Sequence, residues 1–255
     1  MPDPHQGAAD WLAAIERETG ALVRAADRAG LDRAVPSCPD WTVRDLVRHL
    51  GGVQRWATAH VREARQTVMV PAEADALMAD HPGDPELLAW LQAGAQELVE
   101  VLAGASPGLQ CWSFLPAPSP LLFWARRQAH ETEIHRADAQ LAAGAQEITF
   151  AAEAADDGIE ELLFGFAARR RRVQFPGPVR LGLLPHDRPE GWTVELAPEG
   201  ITAERGERPS QCRVRGSAAE LYLLLWNRLP ASSLEIEGDP DVLRLWGGAV
   251  RVTWS

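Results

Sequence analysis

Lysine is missing from this sequence: all 25 basic residues are arginine. That excludes chemistry built on a lysine, whether a Schiff base or a phosphate-gripping loop lysine. Cysteine is scarce. Cys38, Cys111 and Cys212 are far apart, odd in number and never in a CxxC pair, which argues against a thiolate zinc cluster or a redox dithiol. Unpaired thiols suit a reducing compartment. No apolar stretch approaches the ~18 residues that a membrane span needs. The opening residues Met1-Pro2-Asp3-Pro4-His5-Gln6 lack the charged and apolar regions of a secretory signal. The expectation is a cytoplasmic protein with no membrane partner. Net charge is -11, which argues against nucleic acid as a partner. The one basic run, Arg169-Arg170-Arg171-Arg172, reads as a solvated helix end or a contact for an anionic ligand.

What is present is ordinary in bulk. With 255 residues, 46% apolar and 24% charged, the chain can bury one large core or two of normal size. Apolar spacing predicts an amphipathic helix over about Asp10–Ala29. Two prolines in Pro36-Ser37-Cys38-Pro39-Asp40 make a connector, and Thr42-Val43-Arg44-Asp45 has the spacing of a capping box. The helix it opens should run toward Arg65, with Gly51-Gly52 inside it at a propensity cost of ~2 kcal/mol. Such glycines are tolerable where another helix or a ligand comes close.

Met69 to Pro85, with three prolines and a glycine, reads as a loop with room for one short turn. Helices over Glu86–Ala103 and Leu121–Ala143 follow, giving four helices and a bundle. After Gly144 the pattern changes to α+β. A helix is expected over Ala151–Arg172, with strands at Val179–Leu183, Trp192–Leu196, Cys212–Arg215 and Leu234–Glu237. A helix capped at Ser217 and a short one over Asp241–Leu245 complete the reading. The domains are therefore 1–150 and 151–255, meeting near residues 145–155.

The stretch Arg126-Arg127-Gln128-Ala129-His130-Glu131-Thr132-Glu133-Ile134-His135-Arg136-Ala137-Asp138 carries the chemistry. Glu131 and His135 are four apart, so on a helix they share a face and can reach one divalent ion. His49, on a different helix of the bundle, is the candidate third ligand, because bundles build metal sites from facing helices. Two imidazoles and a carboxylate with a fourth position open is the set of a catalytic zinc site. With more open positions the same set suits iron or another divalent ion. The competing reading is a Glu/His pair on a solvated helix face. His130 projects about 100° from Glu131, and His60 lies about 16 Å from His49 along the helix, too far for the same ion. His60 reads as pocket rim or plain surface.

These residues resemble a known family. Cys38-Pro39-Asp40-Trp41-Thr42-Val43-Arg44-Asp45-Leu46-Val47-Arg48-His49-Leu50-Gly51 is similar to the first signature of the mycothiol-dependent maleylpyruvate isomerase family. Phe123 to Asp138 resembles its second. Gly191-Trp192-Thr193-Val194, Arg215 to Leu221, Leu225-Trp226-Asn227-Arg228-Leu229-Pro230 and Glu237-Gly238-Asp239-Pro240 are similar to its second domain. The resemblance implies a DinB-like four-helix bundle followed by a small α+β domain, with zinc held by His49, Glu131 and His135. It also implies an enzyme using mycothiol, a low-molecular-weight thiol of actinobacteria, as co-substrate.

A metal-bound thiol loses its proton more readily. In the namesake reaction the thiolate adds to the double bond of a cis-enedioate, allowing rotation before elimination; relatives transfer the thiol to an electrophile. Arg228 is the candidate for binding a substrate carboxylate or steadying an enolate, against a surface ion pair at that helix end. Trp56, two turns after His49, either lines the thiol pocket or is a buried bundle residue. Asp138 either orients an imidazole or makes a surface salt bridge. Two other functions stay open: a non-enzymatic metal- or ligand-binding module, and a zinc hydrolase working without thiol.

Overall fold

The computed structural model describes residues 4–170 and 177–250. These residues form two compact units, Met1–Ile148 and Thr149–Ser255. The first is built on four long helices, α1 (Pro4–Ala29), α2 (Val43–Arg62), α4 (Asp84–Gly104) and α5 (Pro120–Ala142), with a short α3 (Pro71–Ala79) between the second and third. The second holds a five-stranded sheet with helices, so the fold is a mostly helical N-terminal bundle followed by an α+β unit.

In the bundle, α1 packs along α5 and α4, and α2 along α4 and α5, so the four helices form a ring. Leu22, Ala26, Leu46, Leu50, Leu87, Leu91 and Ala139 fill one part of its core. The capping box at the start of α2 is formed. Asp45 N donates to Thr42 Oγ1, and Thr42 N donates to Asp45 Oδ2 at 2.8 Å. A cap of this kind is worth about 1 kcal/mol. It fixes where α2 begins, and hence the height at which His49 emerges.

Gly51 and Gly52 have the close neighbour that such glycines require. A Cβ on Gly51 would sit 2.0 Å from the Trp90 ring of α4, and one on Gly52 2.6 Å from Met78 Sδ of α3. In return, Gly94 of α4 makes room for Arg55 of α2, whose guanidinium lies 3.8 Å from the Trp90 ring centroid and donates to Trp90 O and Gly51 O.

Three expectations are corrected. The 69–85 segment is not all loop, because Pro71 stands in the first turn of α3, where its missing N–H costs nothing. The connector after α1 carries a small hairpin, β1 (Ala34–Val35) and β2 (Cys38–Thr42), whose tip is Pro36-Ser37. The helix expected over 151–172 is α6 (Ala152–Glu160), followed by a π turn over Glu161–Phe166 and a 3₁₀ turn over Ala167–Arg169. Arg171 and Arg172 lie outside the described residues.

In the second unit the sheet comprises β3 (Val179–Pro185), β4 (Trp192–Ala197), β5 (Gly200–Arg205), β6 (Cys212–Gly216) and β7 (Glu235–Gly238), ordered β5-β4-β3-β6-β7. Among the described strands of this sheet, only β3 and β6 pair in parallel. Strand β5 is the element the sequence concealed: among its residues only Ile201 is buried, as befits an edge strand facing water. Helix α7 (Ala218–Leu225) starts at a second capping box, Ser217 with Glu220, and α8 (Asp241–Ala249) closes the described chain. Trp246 of α8 donates through Nε1 to Leu225 O at 3.1 Å.

Candidate metal centre

Helix α5 is the least expected element. Eighteen of its 23 residues are buried, including Arg127, His130, Glu131, Glu133, His135, Arg136 and Asp138. The solvated-face reading of the Glu131–His135 pair therefore fails. A helix this polar can be buried only if its charges answer one another, since an unpaired buried ion costs several kcal/mol.

One stripe of α5, spaced four, four and three, does so. Arg127 Nη2 meets Glu131 Oε2 at 2.7 Å, Glu131 Oε1 faces His135 Nε2 at 3.3 Å, and His135 Nδ1 meets Asp138 Oδ2 at 2.9 Å. From α2, His49 Nε2 reaches the same Glu131 Oε1 at 3.4 Å. One donor atom from each of His49, Glu131 and His135 lies within 4.8 Å of the others, the set the sequence singled out. Their side chains keep 9%, 5% and 8% of full exposure, which leaves a narrow opening.

The hairpin closes one side. Ser37 Oγ donates to Asp138 Oδ1, and Cys38 Sγ lies 4.0 Å from Asp138 Oδ2. The Trp41 ring packs on both imidazoles, 4.8 Å from His49 and 6.1 Å from His135 between centroids. Asp138 is wholly buried and serves His135, so it orients an imidazole; it is not a surface salt bridge.

Titration follows from this packing. Burial is the largest influence on His49 and lowers its pKa, against the pull of Glu131. Burial also opposes the charged form of His135, yet Asp138 and Glu131 outweigh it and raise that imidazole to about 9. Burial alone would raise the Glu131 carboxyl, but His135, His49 and Arg127 hold it well below the usual carboxylate range. Without a metal, the cluster at neutral pH is one carboxylate between a cationic and a neutral imidazole.

The remaining candidates lie elsewhere. Trp56 is half-buried in an aromatic cluster with Trp112, Phe114 and Trp124, at ring distances of 5.8, 6.4 and 5.3 Å. His60 is neither rim nor surface but fully buried. Met69 N donates to its Nε2, so its Nδ1–H donates to Trp56 O, and burial lowers its pKa. His130 pairs with Glu133 at 3.1 Å and packs on Trp11, apart from the triad. Arg228 belongs to the second unit, where it is half-buried and its Nη1 donates to Trp226 O at 2.7 Å.

Sequence reasoning missed Arg127, Ser37 and Trp41. Arg127 was visible in principle, because it stands four residues before Glu131, one turn away on the same face. Ser37 and Trp41 depend on the hairpin, which has no periodic signal.

Comparison with known proteins bears on this site and the fold around it. A search of curated proteins gives no match. Among solved structures, the mycothiol-dependent maleylpyruvate isomerase aligns with a TM-score of 0.61 at 13% identity, over 90% of this chain and 92% of that one. A histidine-to-alanine mutant of the isomerase gives the same values. At that identity the likeness speaks for the fold. The sequence profile of the mycothiol maleylpyruvate isomerase N-terminal domain matches residues 12–140, and that of the MDMPI C-terminal domain matches residues 153–245. Together the two profiles span most of the sequence, and the chain belongs to the mycothiol maleylpyruvate isomerase family, a family of enzymes.

Proposed function

We propose that His49, Glu131 and His135 hold a zinc ion, and that the protein uses it with mycothiol to isomerise, or transfer sulfur to, an electrophilic small molecule. One observation carries the metal: the spacing of the donors. Ligands 2.0–2.1 Å from a tetrahedral ion stand about 3.3 Å apart, and Glu131 Oε1 lies 3.4 and 3.3 Å from the two Nε2 atoms. The donor chemistry fits as well, since two imidazoles and one carboxylate are a catalytic zinc set with room for another ligand. Asp138 completes the arrangement, because an imidazole that binds metal through one nitrogen donates from the other to a carboxylate.

When bound, zinc would supply a Lewis acid that lowers the pKa of a thiol beside it. The chain's own residues set the conditions. Asp138 accepts from His135 Nδ1 and so aims Nε2 at the space it shares with Glu131 Oε1 and His49 Nε2. Trp41 covers one side of both imidazoles and keeps water from it. Trp56 is proposed to border the thiol site from α2, two turns after His49 on the same face. Arg228 is proposed to bind a substrate carboxylate, a role its planar guanidinium suits. The likeness to a mycothiol-dependent isomerase supports the choice of thiol.

The test is metal content followed by turnover. Purified protein should carry or take up one zinc, lose it in His49→Ala and His135→Ala, and turn over cis-enedioates or other electrophiles only with mycothiol present. Protein that takes up no divalent metal with all three ligands intact would overturn the proposal. Turnover that persists without any thiol would make it a hydrolase instead.

A further inference from the structure

The two oxygens of Glu131 have different neighbours. Oε1 faces both imidazoles, at 3.4 and 3.3 Å, whereas Oε2 is held at 2.7 Å by Arg127 Nη2 one turn earlier on α5. The Arg127 side chain is 1% exposed and that of Glu131 5%, so neither moves freely into solvent. Burying a guanidinium is costly, and replacing a buried ion pair with apolar residues is often neutral or stabilising. Stability is therefore a weak reason for Arg127 to be there. Its geometry suggests another: a carboxylate whose second oxygen is occupied can offer a metal only its first.

We propose that Arg127 is a positioning residue that keeps Glu131 monodentate through Oε1, and so keeps a coordination position open for the thiol. This deepens the zinc reading and rests on it. Carboxylates bind metals through one or both oxygens according to what else those oxygens touch. Freed of Arg127, Glu131 could turn Oε2 inward and fill the place the incoming sulfur needs. The hydrogen bond also draws charge from the carboxylate, making it a poorer donor and leaving the ion more electrophilic toward a thiol. The role differs from that of Asp138, which fixes the orientation of His135 and has no bearing on how many oxygens Glu131 offers.

Cobalt(II) in place of zinc makes the claim visible, because its visible absorption is intense when four-coordinate and weak when five-coordinate. The experiment compares full-length parent, Arg127→Met and Arg127→Gln, each loaded with cobalt and then titrated with mycothiol. Arg127→Met keeps the length and loses the donors. It should bind cobalt but absorb several-fold more weakly, and show a diminished sulfur-to-cobalt band at saturating mycothiol. Arg127→Gln can offer Oε2 only a neutral N–H from a shorter side chain and should give an intermediate spectrum, weaker than the parent; should the methionine variant not fold, a glutamine variant that matches the parent overturns the role of Arg127. Both variants matching the parent in intensity and in the sulfur band would overturn the role of Arg127 while leaving the metal site standing. A parent that takes up no cobalt would overturn the metal reading itself, and the positioning role with it.

Discussion

At the scale of the residue, the site turns on which proton sits where. His135 is raised to about 9 by Asp138 and Glu131 in the metal-free protein, while His49 is lowered by burial. At pH 7 His135 is therefore charged and His49 neutral, and a metal must displace one proton, that on His135 Nε2. At pH 7 uptake of zinc should release about one proton per ion, and apparent affinity should rise about tenfold per pH unit between pH 7 and 8, levelling near pH 9. A chelator competition at three pH values checks this; an affinity independent of pH would contradict it. Asp138→Asn tests the other nitrogen. It should lower zinc affinity about 10- to 100-fold, read by the same competition, while thermal unfolding of the metal-free protein shows whether the fold survives. Unchanged affinity would remove Asp138 from its orienting role.

At the scale of the element, legibility followed how local the cause was. Both capping boxes, at Thr42 and Ser217, were readable because hydroxyl and carboxylate lie three residues apart in one turn. Glu131 and His135 were readable for the same reason. Their burial was not, because the polar stripe of α5 looks like a solvated face until the paired charges and the Ser37 hairpin are seen around it. Strand β5 was hidden by its polar residues, and α3 by Pro71, which reads as a breaker and acts as a starter. The glycine pair of α2 was readable in kind but not in partner. That partner gives a prediction. Gly51→Ala gains about 1 kcal/mol of helix propensity, yet its methyl meets the Trp90 ring at 2.0 Å. Overpacking costs typically 1–3 kcal/mol, so urea unfolding should show net destabilisation. Gly104→Ala, with nothing within 4 Å at the end of α4, should be neutral or stabilising. Equal effects at the two sites would mean that the helices are not in contact as described.

At the scale of the whole molecule, the proposed ligands come from α2 and α5 within one unit, so an ion held by them should report on that unit's opening. All three proposed ligands lie in the Met1–Ile148 unit. Two free thiols make the opening of each unit measurable. Cys111 lies in the first, 8% exposed, its pKa raised by burial; Cys212 lies in the second, fully buried and pushed up to about 11, chiefly by burial and then by Asp239. A thiol titrating near 11 is only about a thousandth ionised at pH 8, and the thiolate is the species that reacts. In the native protein an alkylating reagent should therefore modify the half-exposed Cys38 first, and reach Cys111 and Cys212 only when their units open. Metal binding stabilises the closed form by about 2.7 kcal/mol at 100 times Kd. Where opening is fast relative to alkylation, labelling follows the open population, so zinc at that excess should slow Cys111 modification about a hundredfold. The Glu131→Ala protein should show no such protection. Zinc that left Cys111 labelling unchanged in the parent would show that the ion does not span α2 and α5, and mass spectrometry of each cysteine peptide reads the outcome directly.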